Sequence, residues 1–191
     1  MPRVKIENIP LAVQRGIKFR ILADEREKTP WTFARYWKRA PFDYCNCTRL
    51  VTADYTIKAG ENYIAIERKN VLDFLNTLSL RHARRREGQQ RRQDTVVRLR
   101  DRFEVELERM QRTVQNCYVI CEAPLSRILQ AGTGWKGQLA KALLLRAIMR
   151  LKRRYPKIKW EFYPDREAAE ARAFYLLYSA FLTLQKDGVF A

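Results

Sequence analysis

The chemistry-bearing residues of this chain crowd into one stretch, where the apolar run Tyr63-Ile64-Ala65-Ile66 ends in Glu67-Arg68-Lys69 and is followed by Asn70-Val71-Leu72-Asp73. Residues two apart on a strand share a face, so a strand over 62–69 sets Glu67 beside Lys69 and turns Ile64 and Ile66 into the opposite layer. A carboxylate beside an ammonium at the end of a central strand suits a hydrolase that holds a divalent metal with the acid and positions a water with the lysine. Arg68 points away from both on such a strand. Asn70 is a natural helix N-cap and Asp73, three residues on, completes a variant of the capping box, so Asp73 has a structural explanation as well as a chemical one.

Two other segments deliver acids to this neighbourhood. Ile17, Phe19 and Ile21 alternate with Lys18 and Arg20, which predicts a strand over 17–23 whose end presents Asp24. Asp24 and Glu27 are candidate acids, and the alternative is a loop in which they cap a turn or a helix. Leu50–Ile57 and Asn62–Lys69 read as a hairpin through Lys58-Ala59-Gly60-Glu61, with Gly60 supplying any positive φ the turn needs. The hairpin brings Asp54 to Glu67 and Lys69; Tyr55 reads as a packing residue.

The pattern Glu67-Arg68-Lys69-x3-Asp73 resembles the signature of the XPF-type (ERCC4-domain) structure-specific endonucleases, a branch of the PD-(D/E)-x-K nucleases. The family's Asp-x-Arg-Glu is matched by Asp24-Glu25-Arg26-Glu27, and its Gly-Asp-Tyr by Ala53-Asp54-Tyr55, with the glycine replaced. Arg102–Arg109, Tyr118–Glu122 and Asp165–Ala169 resemble later family elements, so the likeness spans roughly residues 17–186. It implies a three-layer, restriction-endonuclease-like α/β fold and a metal-dependent DNA endonuclease using Mg²⁺ or Mn²⁺. Asp54 and Glu67 would hold the metal, with Asp24 and Glu27 as supporting acids, and Lys69 would act on the water or the phosphate. Arg26, Arg68 and Asp73 belong to the same motifs. The resemblance also implies a compact stand-alone nuclease domain of the kind carried by phage and mobile elements, with branched or single-strand-containing DNA among its substrates. No tandem helix-hairpin-helix module is visible.

Composition agrees with a polyanionic partner. The 191 residues carry 38 Lys and Arg against 21 Asp and Glu, a formal charge of +17, which exceeds what solubility requires and points to nucleic acid. Eight arginines fall between 81 and 100 against Glu87 and Asp94; relative to the family this stretch reads as an insertion, with Arg84, Arg85, Arg86, Arg91 and Arg92 as phosphate contacts, or else as a solvated face. No apolar run approaches the ~20 residues that cross a bilayer, and no signal-peptide core is present, so a soluble protein without a membrane partner is expected. The cysteines occur as Cys45-x-Cys47 and Cys117-x3-Cys121 and His82 stands alone, which is not zinc spacing. Reduced cysteines on a buried strand suit a reducing cytoplasmic compartment, or a nucleus in a eukaryote.

The remaining elements follow in order. Residues 1–16 form an arm, and the aromatic-rich stretch 30–44 fills the core beside the first hairpin rather than stacking on bases. Val96, Leu99, Phe103, Leu107, Met110 and Val114 predict an amphipathic helix over 95–115. A buried strand over 117–122, a loop over 123–134, a helix over 136–154, a strand at 158–162 and a helix from Asp165 to about Gln185 complete one domain over 1–191. Strands alternating with helices give a central mixed sheet flanked by helices. The stripe Phe174, Leu177, Tyr178, Phe181 and Leu184 is assigned to the core, and Tyr175 is left to a second patch through which the resemblance implies a homodimer. Two alternatives to the DNA endonuclease are kept: a catalytically inactive nucleic-acid-binding scaffold on the same fold, and an RNA nuclease. The intact set Asp24, Glu27, Asp54, Glu67 and Lys69 favours catalysis.

Overall fold

The hydrophobic alternation resolves into one six-stranded mixed sheet with a core on each face. The structure, a computed structural model, describes residues 19–36, 42–78, 90–131 and 137–189, and only the backbone of 47–48, 90–101 and 137–140. Strands β1 (Phe19–Asp24), β2 (Phe42–Thr48), β3 (Tyr55–Ile57), β4 (Ile64–Lys69), β5 (Asn116–Cys121) and β6 (Ile158–Phe162) lie in the order β2-β1-β3-β4-β5-β6. The β1–β3 and β3–β4 pairs are antiparallel, while β1–β2, β4–β5 and β5–β6 are parallel. Helices α1 (Val71–Leu78), α2 (Gln90–Thr113), α3 (Leu125–Ala131), α4 (Gly137–Arg154) and α5 (Arg166–Lys186) cover the two faces.

Alternate residues of the central strands β4 and β5 feed opposite cores, which gives three layers. Ile64 and Ile66 join Ile21, Tyr55, Tyr118 and Ile120 under Ala173, Phe174, Leu177 and Phe181 of α5. Ala65, Cys117, Val119 and Cys121 join Phe74, Phe103, Leu107, Met110, Leu144 and Ile148 from the opposite helical layer. A central strand buried on both sides has no polar face to spare, so charged residues appear on β4 only in its C-terminal half, still paired with β5. Trp31, Phe33 and Tyr36 are buried in the α5-side core with Phe42 and Tyr44 packed against it, as expected for the aromatic stretch; Trp37 lies outside the described residues.

Several elements differ from the sequence reading. Residues 50–54 are not strand, because the chain turns through Ala53 at φ +61° before β3 begins. In the β3–β4 turn the left-handed residue is Ala59, at φ +61°, and not Gly60. Gly60 is required instead for space, since a Cβ there would sit 2.5 Å from Ile57 Cγ1 and 3.0 Å from Leu184 Cδ1. Residues 42–48 add an edge strand, 125–131 form a short helix started by Pro124, and α2 begins at Gln90, so the second half of the arginine-rich stretch is helical. The arm 1–16 and Arg84, Arg85 and Arg86 lie outside the described residues, as do the side chains of Arg91 and Arg92 on α2. No helix among the described residues is long and apolar enough to cross a membrane.

Candidate active site

The parity of β4 splits Glu67-Arg68-Lys69 between the two layers. On the helical-layer side of α1 and α2, Lys69 Nζ donates to Glu67 Oε1 at 2.5 Å and stands 4.9 Å above the Phe103 ring. Both side chains are largely covered, with 14% and 8% of their surface exposed. Asp54 reaches the same strand end from the turn before β3: its amide donates to Ile66 O, and its Oδ2 accepts from the Arg68 amide at 2.7 Å. Burial, and then the charge of Glu67, hold the Asp54 carboxyl well above the usual carboxylate range. Burial also raises Glu67, against the pull of Lys69. Burial alone would lower the Lys69 ammonium, but Glu67 and Asp54 together keep it above its ordinary value. Two carboxylates thus share one ammonium at the end of a central strand.

Arg68 serves the other layer. Its guanidinium, 5% exposed, donates to both oxygens of Glu122 at 2.7 and 2.9 Å and to Glu27 Oε1 at 3.0 Å. Trp31 Nε1 and Arg166 Nη1 donate to the same Glu122 oxygen, at 2.7 and 3.1 Å. Charge-assisted bonds of this kind are the stronger ones. Glu27 is therefore drawn to Arg68 and Thr29.

The other predicted residues take positions of their own. Asp24, buried at 2% exposure, accepts from Arg26 Nε at 2.7 Å, Arg26 Nη2 at 2.8 Å, the Arg26 amide and the Leu50 amide. Burial would raise its carboxyl, but these donors outweigh it and hold it below its ordinary value. Its oxygens are thus committed, and it adjoins Asp54 through the backbone, where Asp24 N donates to Asp54 O. Asp73 sits in the capping box, its amide donating to Asn70 Oδ1 and its Oδ2 accepting from Asn70 Nδ2.

Three residues of this neighbourhood were not among the predicted site residues. Glu122 closes the Arg68 network, Phe103 floors Lys69, and Glu106 Oε1 accepts from Thr52 Oγ1 and the Ala53 amide, at 2.5 and 2.6 Å. A signal existed for Glu106, an acid lying between Phe103 and Leu107 on the apolar side of α2.

A divalent cation fits this donor set through Asp54 and Glu67. Hard cations take carboxylate oxygens, and two crowded carboxylates with raised pKa are the groups that an added positive charge would relieve. Among the described residues no three His, Cys, Asp or Glu side chains converge as a ready-made metal cluster.

The chain matches the family model described as the ERCC4 domain over residues 23–169. No curated protein matches it significantly. Among solved structures it resembles "XPF from Aeropyrum pernix, complex with DNA" at 17% identity and a TM-score of 0.54, over 88% of this chain and 66% of that one. A second structure, "XPF from Aeropyrum pernix", matches at 18% identity and a TM-score of 0.53, over 82% of this chain and 64% of that one. At such identities the likeness is one of fold, and the chain spans just under two thirds of the length of these relatives.

Proposed function

We propose that this chain, which belongs to the ERCC4 domain family, is a metal-dependent DNA endonuclease that hydrolyses phosphodiester bonds. The observation that carries the reading is the Lys69–Glu67 pair with Asp54 beside it at the end of β4, in a chain of formal charge +17. Its fold neighbour was solved in complex with DNA, and a strongly basic surface suits the same polyanion.

Asp54 and Glu67 would hold Mg²⁺ or Mn²⁺, and the ion, when bound, supplies Lewis-acid activation of the phosphate and of water. Lys69 supplies a fixed positive charge, kept ionised by its neighbours, where negative charge develops on the phosphate or where the attacking water must be oriented. Phe103 confines the ammonium to one position. Arg68, Glu27 and Glu122 position β4 from the opposite layer and touch no reacting atom. Asp24 and Arg26 act in the same way, fixing Leu50 and hence the approach to Asp54.

The resemblance also motivates a preference for branched or single-strand-containing DNA and a homodimer. In the structure the α5 stripe is core and Tyr175, 39% exposed, is the ring on that helix that stands open. A second copy seated there is part of the proposal, and light scattering that gives a constant mass near 22.7 kDa across concentration would remove it.

The decisive assay is cleavage of labelled linear, flapped, forked and four-way DNA, and of matched RNA, with Mg²⁺ and with EDTA. Wild type should cut DNA only with the metal, while folded Lys69→Ala and Glu67→Ala should bind DNA and fail to cut it. Near-normal cleavage by either variant would remove the site assignment. Binding without cleavage by wild type would select the scaffold alternative, and preferential cutting of RNA the other.

A further inference from the structure

Every residue of the turn that presents Asp54 is held from outside. The Leu50 amide donates to Asp24 Oδ2, and Leu50 O accepts from Arg26 Nη2. Val51 O accepts from Arg109 Nη1 at 2.7 Å. Thr52 Oγ1 and the Ala53 amide both donate to Glu106 Oε1, while Glu106 Oε2 lies 3.4 Å from Arg109 Nη1. Ala53 itself, 4% exposed, has φ +61°. That left-handed conformation is disfavoured for a residue with a Cβ and free for glycine, so it persists only where its surroundings over-determine it.

We infer that Glu106 is a positioning residue that clamps Ala53 in this conformation and thereby holds Asp54 at the end of β4. The alternative role, a third metal ligand, suits Glu106 poorly. Its Oε1 already receives two donors from the turn, and its Oε2 faces Arg109. Without the carboxylate, the Thr52 hydroxyl and Ala53 amide would be buried without partners, and the turn would relax toward φ < 0. Asp54 follows Ala53 directly, so its hydrogen bonds from the Arg68 amide and to Ile66 O would break with it.

The inference rests on the reading that Asp54 helps to hold a cation, and the test separates the two. Glu106→Ala, Glu106→Asp, Glu106→Gln, Ala53→Gly and the double variant Glu106→Ala/Ala53→Gly are made in the full chain. Amide exchange of Asp54 is followed by NMR without metal, Mn²⁺ binding by calorimetry without nucleic acid, and kcat and KM on labelled DNA. Glu106→Ala should bring Asp54 exchange close to that of an unprotected amide and weaken Mn²⁺ about tenfold, as for a site competent about a tenth of the time. Cleavage should lose kcat with KM unchanged. Glycine at 53 needs no clamp, so the double variant should return to within about twofold of wild type, and Glu106→Gln, which keeps the acceptor, should do the same. Glu106→Asp keeps the charge but is one methylene shorter, and should behave like alanine; it carries the test if Glu106→Ala does not fold. Unchanged Asp54 exchange in the folded alanine or aspartate variant overturns the clamp, as does failure of glycine to rescue. The expected exchange pattern with no Mn²⁺ binding by wild type leaves the clamp standing and sinks the metal reading.

Discussion

Asp54→Asn should make the metal-free protein more stable while ending its response to metal. Asp54 and Glu67 are both raised above their ordinary carboxyl values, first by burial, and Lys69 is the cation bonded within the pair. Asparagine keeps an oxygen to accept from the Arg68 amide, the 2.7 Å bond that Asp54 now makes, and needs neither a second buried negative charge nor the proton uptake that avoids it. Replacing an unfavourable charge by a hydrogen-bonded neutral group of the same shape should stabilise by about 1–2 kcal/mol. At about 2–4 °C per kcal/mol for a chain of this size, Tm should rise by about 2–8 °C near neutral pH. The sign of the pH dependence follows from the raised value: the folded state keeps the Asp54 proton where the unfolded chain has lost it. This contribution to stability is therefore fully present below the unfolded pKa near ~3.9 and is lost as pH rises through the folded value. The gap between variant and wild type should be small near pH 4 and widen upward. Thermal melts at several pH values, each with EDTA and with Mg²⁺, measure it, and Mg²⁺ should raise the wild-type Tm more than that of the variant. A variant less stable than wild type at neutral pH, or equally stabilised by Mg²⁺, would refute the shared-ammonium account.

Three further outcomes are expected. Arg68→Leu leaves Glu27 and Glu122 without their bridging cation, and breaking a buried charge network this way costs about 3–5 kcal/mol; chemical denaturation that detects under 1 kcal/mol would mean Arg166 alone suffices for Glu122. Gly60→Ala brings a Cβ to 2.5 Å from Ile57 Cγ1, an overpacking that should destabilise by about 1–3 kcal/mol, read as a lower denaturant midpoint at constant slope. Replacing Arg84, Arg85, Arg86, Arg91 and Arg92 by serine should flatten the dependence of log DNA affinity on log salt by about 0.9 for each phosphate they neutralise, and an unchanged slope would leave the segment as a solvated face.

The sheet and the Glu67–Lys69 pair were legible because they depend on short-range periodicity. Ile64 and Ile66 at period two fix which face of β4 is apolar on the α5 side, and that fixes Glu67 and Lys69 to the other. The partners of Arg68 were not legible: Glu27 and Glu122 lie 41 and 54 residues away in the chain, and only the sheet order, with β3 and then β1 on one side of β4 and β5 on the other, brings them in. The turn before Asp54 was misread as strand because nothing in Leu50-Val51-Thr52-Ala53 announces a positive φ; glycine would have done so, and its replacement by alanine hides the bend. The short helix at Leu125–Ala131 lacks the length on which periodicity rests, although Pro124 marks it, and the edge strand at Phe42–Thr48 is masked by the run of core aromatics before it, although the alternation of Phe42 and Tyr44 with Asp43 marks it.

Three adjacent charges at the end of a doubly buried strand would be costly if they shared one environment, since each must be desolvated. The pleat divides the cost. Arg68 finds two carboxylates within hydrogen-bond reach, Glu27 and Glu122, and Arg166, the first residue of α5, donates to Glu122 in turn, so the layer under α5 is electrostatically closed and ties together the segment after β1, the end of β5 and the start of α5. On the opposite face Lys69 has more carboxylate around it than one ammonium can satisfy, as the raised Asp54 and Glu67 show. The first face can only stabilise; the second is left with negative charge in excess, which a cation can relieve. It follows that substitutions at alternate positions of one strand should sort cleanly, Arg68 affecting folding and Glu67 and Lys69 affecting chemistry. A Lys69→Ala protein as unstable as Arg68→Leu would show that the division does not hold.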